Sequence, residues 1–214
     1  MALAVVTAAC GGSVDDGAVS GTVGPGADTP EAAVRMLVAD LNAPDFQSAS
    51  DLAVPGHAAL AALTEGAAFA DVAEALRTGD AAIASNFWSG FAQGAGRLLL
   101  GAVVLSGEPV VTQDEIEFHP VVVEADSGEM GTMMSRDVNG YRVDLFASFG
   151  AGLADKMIPP VERLLVAQTD NSRLILRELQ DIVPSLLIAA RQPDLPPAIS
   201  QDILRLVELI TRVS

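Results

Sequence analysis

The chain has 214 residues, half of them hydrophobic but only 4% aromatic, so it can bury a sizeable core and must build it mainly from Ala, Leu, Val and Ile. A formal net charge of −16 argues against a nucleic-acid surface, since phosphates require clustered bases, and against direct adsorption to anionic headgroups. Two histidines and one cysteine do not make a zinc site, and no phosphate-cradling Gly-Lys loop, glycine-flanked serine or dinucleotide fingerprint is present, so no metal and no cofactor is expected.

The single cysteine, Cys10, ends the run LAVVTAAC and is followed by GGS. Small residues before a cysteine and a glycine-serine tract after it resemble the lipobox of bacterial secreted lipoproteins. That resemblance implies cleavage before Cys10 and attachment of a diacylglycerol to its thiol. Residues 1–9 then read as the remnant of a signal segment, since a full leader takes about 15–30 residues and carries basic residues ahead of the apolar run. Residues 10–28 hold six glycines and read as a flexible tether. The expected location is the outer face of a cell membrane, held by two acyl chains at Cys10.

Helical patterning begins at TPEAAVRMLVADLN, with Thr29 as N-cap, Pro30 in the first turn, Glu31 at the positive end of the dipole, and Val34, Leu37, Val38 and Leu41 on one face. A second helical stretch covers about 46–63, broken by Pro55-Gly56, with His57 at a helix start. A third is FADVAEALRTGD, and Asp80 can cap a fourth, AAIASNFWSGFAQ, where Phe87, Trp88 and Phe91 lie at helical spacing.

From Arg97 the pattern turns to strands: RLLLGAVVL, EIEFHPVVVEA, EMGTMMSRDV and YRVDLFAS. Asn139-Gly140 predicts a two-residue hairpin turn in which Val138 faces Tyr141, Arg136 faces Val143 and Met134 faces Leu145. One face then carries Met134, Arg136, Val138, Tyr141, Val143 and Leu145. The other pairs Asp137 with Arg142 and Ser135 with Asp144, and is expected at the solvent. His119 shares the phase of Glu115 and Glu117 and is also expected to be exposed. Trp88, Met134, Arg136, Tyr141 and Leu145 are the candidate lining of a ligand cavity. An arginine on an apolar face must find an acid, snorkel outward or meet an anionic ligand.

Helices followed by an antiparallel meander ending in GYRVDLF resemble the cone-shaped α+β fold of the nuclear-transport-factor-2-like superfamily, which includes ketosteroid isomerases. The resemblance covers about residues 29–149 and implies a curved sheet wrapped by N-terminal helices in a domain spanning 29–152. Residues 153–214 read as an added helical hairpin docked on that domain, with a kink at Pro184 and a stripe of Ile199, Ile203, Leu206, Ile210 and Val213. The function expected is a non-enzymatic envelope lipoprotein that binds an apolar or amphipathic small molecule, or a protein partner through the C-terminal helices. The alternatives are a small cone-fold enzyme of isomerase or hydrolase type and a purely structural interaction module.

Overall fold

The computed structural model describes residues 26–80, 82–95, 102–105, 107–124, 128–193 and 195–212. Cys10, the signal remnant and most of the proposed tether therefore lie outside the described residues, as do Arg97 to Gly101 and Val213.

The first half is a set of short helices. In α1, Pro30–Asn42, the Thr29 side chain accepts a hydrogen bond from the Ala32 N–H, and Val34, Leu37, Val38 and Leu41 are all buried. The next three helices are α2, Phe46–Asp51, α3, His57–Ala61, and α4, Phe69–Thr78, with a 3-10 turn over Ala62–Glu65 after α3. Asp80 accepts from the Ala82 N–H ahead of α5, Ser85–Ala95. Within α5, Trp88 is fully buried, donating its indole N–H to Ser50 at 2.7 Å and packing with Phe87 and Phe91.

Among the described residues five antiparallel strands follow: β1, Ala102–Leu105; β2, Val110–Val111; β3, Glu117–Glu124; β4, Met130–Asp137; and β5, Tyr141–Val143. They form a curled sheet ordered β1-β3-β4-β5, with β2 pairing beside β1 on β3. The outer edge of β5 is covered by two single bridges, Ala27 to Tyr141 and Ala53 to Val143. Gly26 and Gly140 touch there so closely that a Cβ on Gly26 would sit 2.5 Å from the Gly140 carbonyl carbon. Residues 26–28 are thus not free tether: Ala27 is buried and pinned to the hairpin.

The hairpin register differs from the sequence expectation by one residue. Ser135 faces Val143, Arg136 faces Arg142 and Asp137 faces Tyr141, which makes the loop three residues long. Asp137 causes this by accepting the Gly140 N–H through its side chain at 2.9 Å, while Asn139 and Gly140 both take positive φ. A one-residue slip exchanges the two faces of a strand. Neither face is left at the solvent here: Ser135 and Val143 on one are fully buried, and Arg142 on the other, expected exposed, is only 2% exposed and donates to the Asp51 carbonyl.

The strands stop at Val143, not after Gly152. Asp144 caps α6, Leu145–Ala167, so the segment read as the end of a last strand is the start of a 23-residue helix. That helix runs through the expected boundary at 152. It packs against α7, Asp170–Asp181, α8, Val183–Ala189, and α9, Pro197–Thr211, while its first turns lie on β4 and α3. Pro184 stands at the start of α8 and Ile182 marks the break, close to the expected kink. Ile203, Leu206 and Ile210 are fully buried and Ile199 packs at the margin. The architecture is α+β, with one continuous apolar core drawing on both the N-terminal helices and the C-terminal ones. Among the described residues no helix is long and apolar enough to cross a membrane.

Candidate functional site

The residues expected to line one cavity are dispersed. Trp88 and Leu145 belong to the main core. Met134 joins Phe118, Ala147 and Ile188 in a second, smaller apolar cluster on the other side of the sheet. Tyr141 stands edge-on to His119, with ring centroids 5.2 Å apart. His119 itself is not the exposed residue expected, since its side chain is 16% exposed and its Nε2 lies 3.4 Å from Glu117. Arg136 borders a cleft.

What Arg136 meets is an acid. Its Nε lies 2.9 Å from Asp144 Oδ2, although the N–H is not aligned on that oxygen, and its guanidinium stands 6.0 Å over the Phe118 ring. Asp144 is completely buried and joins three elements. Its backbone N–H donates to the Met134 carbonyl on β4, its Oδ1 accepts the Ala147 N–H at the start of α6, and its Oδ2 accepts the Ser185 hydroxyl from α8 at 2.8 Å. Ser148 locks the same corner, donating to the Asp144 carbonyl and accepting the Met134 N–H at 2.8 Å. A carboxylate at a helix N-terminus is favoured by the dipole, and the guanidinium offsets the cost of burying its charge.

His57 completes the cluster. The Pro55-Gly56 turn delivers it, Gly56 adopting φ of 80° as the residue before α3. The imidazole is 3% exposed, stacks edge-to-face on Phe146 at 5.1 Å, and puts Nδ1 3.6 Å from Asp144 Oδ1, too far for a hydrogen bond. Burial pushes its pKa down to about 4, an effect that Asp144 opposes and Arg136 reinforces. His57 is therefore neutral at physiological pH.

Above this cluster opens a cleft of about 540 Å³. His57, Arg136 and Leu60 contribute to one part of its lining, Ile116 and Asp114 come from the β2–β3 connection, and Glu178, Asp181 and Ile182 from the end of α7. The volume lies within the range of small-molecule sites. Among the described residues no group of three metal-ligating side chains converges anywhere.

Sequence reasoning weighed His57, Arg136 and Asp144 separately and did not bring them together, and it did not single out Ser185, Glu178 or Asp181. A signal for one of them was available. Asp144 followed by Leu-Phe-Ala-Ser fits a helix N-cap as well as a strand, and the N-cap reading turns its carboxylate inward. No family model, no curated protein and no solved structure matches this chain.

Proposed function

We propose that the protein is a lipid-anchored, outward-facing envelope protein that binds a small amphipathic molecule in the cleft over His57 and Arg136, without chemistry on it. The observation that carries the binding role is the cleft itself: half-open, of ligand size, lined by both apolar and polar side chains, with His57 and Arg136 among them. The state of the buried cluster supports binding over catalysis. Both Asp144 carboxylate oxygens accept hydrogen bonds that tie α6 and α8 together, and His57, its pKa lowered to about 4, stays neutral and is not poised to exchange protons near neutral pH.

Membrane attachment rests on Cys10 and the LAVVTAAC sequence. The cone-like fold belongs to the same proposal. Helices preceding a curled antiparallel sheet support it, while α6 replacing a long last strand and three further helices set this chain apart from the expected pattern. The test is expression with a complete leader in a bacterial host, followed by fractionation and native mass spectrometry. The expected result is wild-type protein in the membrane fraction with the added mass of acyl chains, a soluble Cys10→Ser variant, and a co-purifying small molecule that is lost in Val138→Trp, which fills the cleft. Soluble, unmodified wild type overturns the anchor, and wild type and Val138→Trp that both bind nothing overturn the ligand role.

A further inference from the structure

The cleft is charged unevenly. Three carboxylates border it, Asp114 from the β2–β3 connection and Glu178 and Asp181 from the last turn of α7. Its guanidinium, Arg136, is already matched by Asp144, so that pair adds no net charge. Among the described residues Glu178 has a base nearby only in the outward-facing Arg177, at 3.8 Å, and no base lies within ion-pair distance of Asp114 or Asp181. Glu178 and Asp181 also oppose the dipole of their own helix, whose last turn is its negative end and contains no basic residue. Burial and then the neighbouring Asp181 push the Glu178 carboxyl upward, and Arg177 opposes them only in part.

A second observation comes from the base of the cleft. His57 is 3% exposed, lines the cleft, and leaves Nδ1 without a hydrogen-bond partner. Because Nδ1 is turned toward Asp144, the opposite ring edge, which carries Nε2, is the one left for the cleft. A neutral imidazole whose Nδ1–H faces a carboxylate keeps its acceptor lone pair at Nε2. The cleft therefore combines carboxylates at its rim with a neutral acceptor at its base, and both features suit a hydrogen-bond donor with positive charge.

Building on the small-molecule reading above, we infer that the ligand is an organic ammonium, with its N–H groups on Glu178 and Asp181 and an apolar body along Ile116, Ile182 and Leu60. An acidic headgroup would instead face three carboxylates and a guanidinium that is already paired. Charge-assisted hydrogen bonds to the half-buried Glu178 and the exposed Asp181 supply the selectivity.

The experiment is calorimetric titration of the full-length Cys10→Ser chain, in detergent-free buffer at low salt, with octylammonium, octanol and octanoate. These three share one tail and differ in head charge. Octylammonium is expected to bind at least about tenfold more tightly than the other two, as one such hydrogen bond would give. The double variant Glu178→Gln/Asp181→Asn is expected to lose that advantage and keep its octanol affinity. Removing like charges from a helix C-terminus leaves the fold intact, which far-ultraviolet circular dichroism verifies. Equal binding of all three probes, or a double variant that holds octylammonium as wild type does, overturns the ammonium assignment and leaves the amphiphile reading standing. No binding of any probe overturns both.

Discussion

At the scale of single residues, His57 makes a prediction with a definite sign. Its ordinary pKa of about 6.5 falls to about 4 in the folded protein, so above pH 6.5 it is neutral in both folded and unfolded chains and adds no pH dependence. Between pH 6.5 and about 4 the unfolded chain takes the proton and the folded one refuses it, so stability falls as the solution is acidified. Each pH unit in that window costs about 1.4 kcal/mol. Below about 4 both states are protonated and this loss levels off. Urea unfolding at pH 7.5 and pH 4.5 should therefore show wild type losing about 2–3 kcal/mol more than His57→Phe, since other titrating groups contribute equally to both. A difference between the two proteins that is the same at both pH values would show that the imidazole is not held neutral.

At the scale of elements, α6 is the piece on which the rest is assembled, and it meets α8 tightly at Gly150. Gly150 faces Ala189, where an added Cβ would lie 2.8 Å from the Ala189 Cβ, a methyl that cannot rotate away. Replacing a helical glycine by alanine ordinarily stabilises by about 1 kcal/mol. Overpacking of this kind costs about 1–3 kcal/mol, so Gly150→Ala should destabilise or at best break even, while Gly152→Ala, with no atom within 4 Å of the new methyl, should stabilise. Thermal melts of the two variants check this, and a stabilised Gly150→Ala would mean the helices pack less tightly than described. The same element shows where sequence reading stopped. Periodicity and the Thr29 cap are enough for α1, α4 and α9, because a cap and the apolar spacings act locally. The start of α6 reads as strand because Tyr-Arg-Val-Asp-Leu-Phe alternates, and the local capping bond from the Ala147 N–H to Asp144 is reinforced by contacts from distant elements, Ser185 and Met134. The hairpin register turned on one side chain, Asp137, whose bond to Gly140 lengthened the loop by a residue. That slip is why Arg136 was placed beside Tyr141 and Leu145, and why its pairing with Asp144 went unread although an acid partner was among the options for it.

For the whole molecule, the division of the chain at residue 152 is the point to test. Between Leu153 and Ile210 fifteen Leu, Ile, Val and Met side chains are buried, each contributing about 1.5–3 kcal/mol on burial. All but Ile188 lie in the same cluster as Leu37, Trp88 and Val143, so they complete a shared core and do not form one of their own. Losing even a third of that burial is comparable to the net stability of an ordinary domain, about 5–15 kcal/mol. A chain ending at Gly152 also cuts α6 after eight residues and removes Ser185, leaving the Asp144 carboxylate without one of its bonds. Such a chain should fail to unfold cooperatively in urea and should aggregate, because the truncated face would present far more contiguous apolar surface than a soluble monomer tolerates. Removing residues 1–25 should by contrast leave the urea midpoint unchanged, provided Gly26 and Ala27 remain to close the edge of β5 against Tyr141. A monomeric chain ending at Gly152 with a sigmoidal urea transition would mean that the helices after α6 are an appendage and would move the functional weight onto their outer faces.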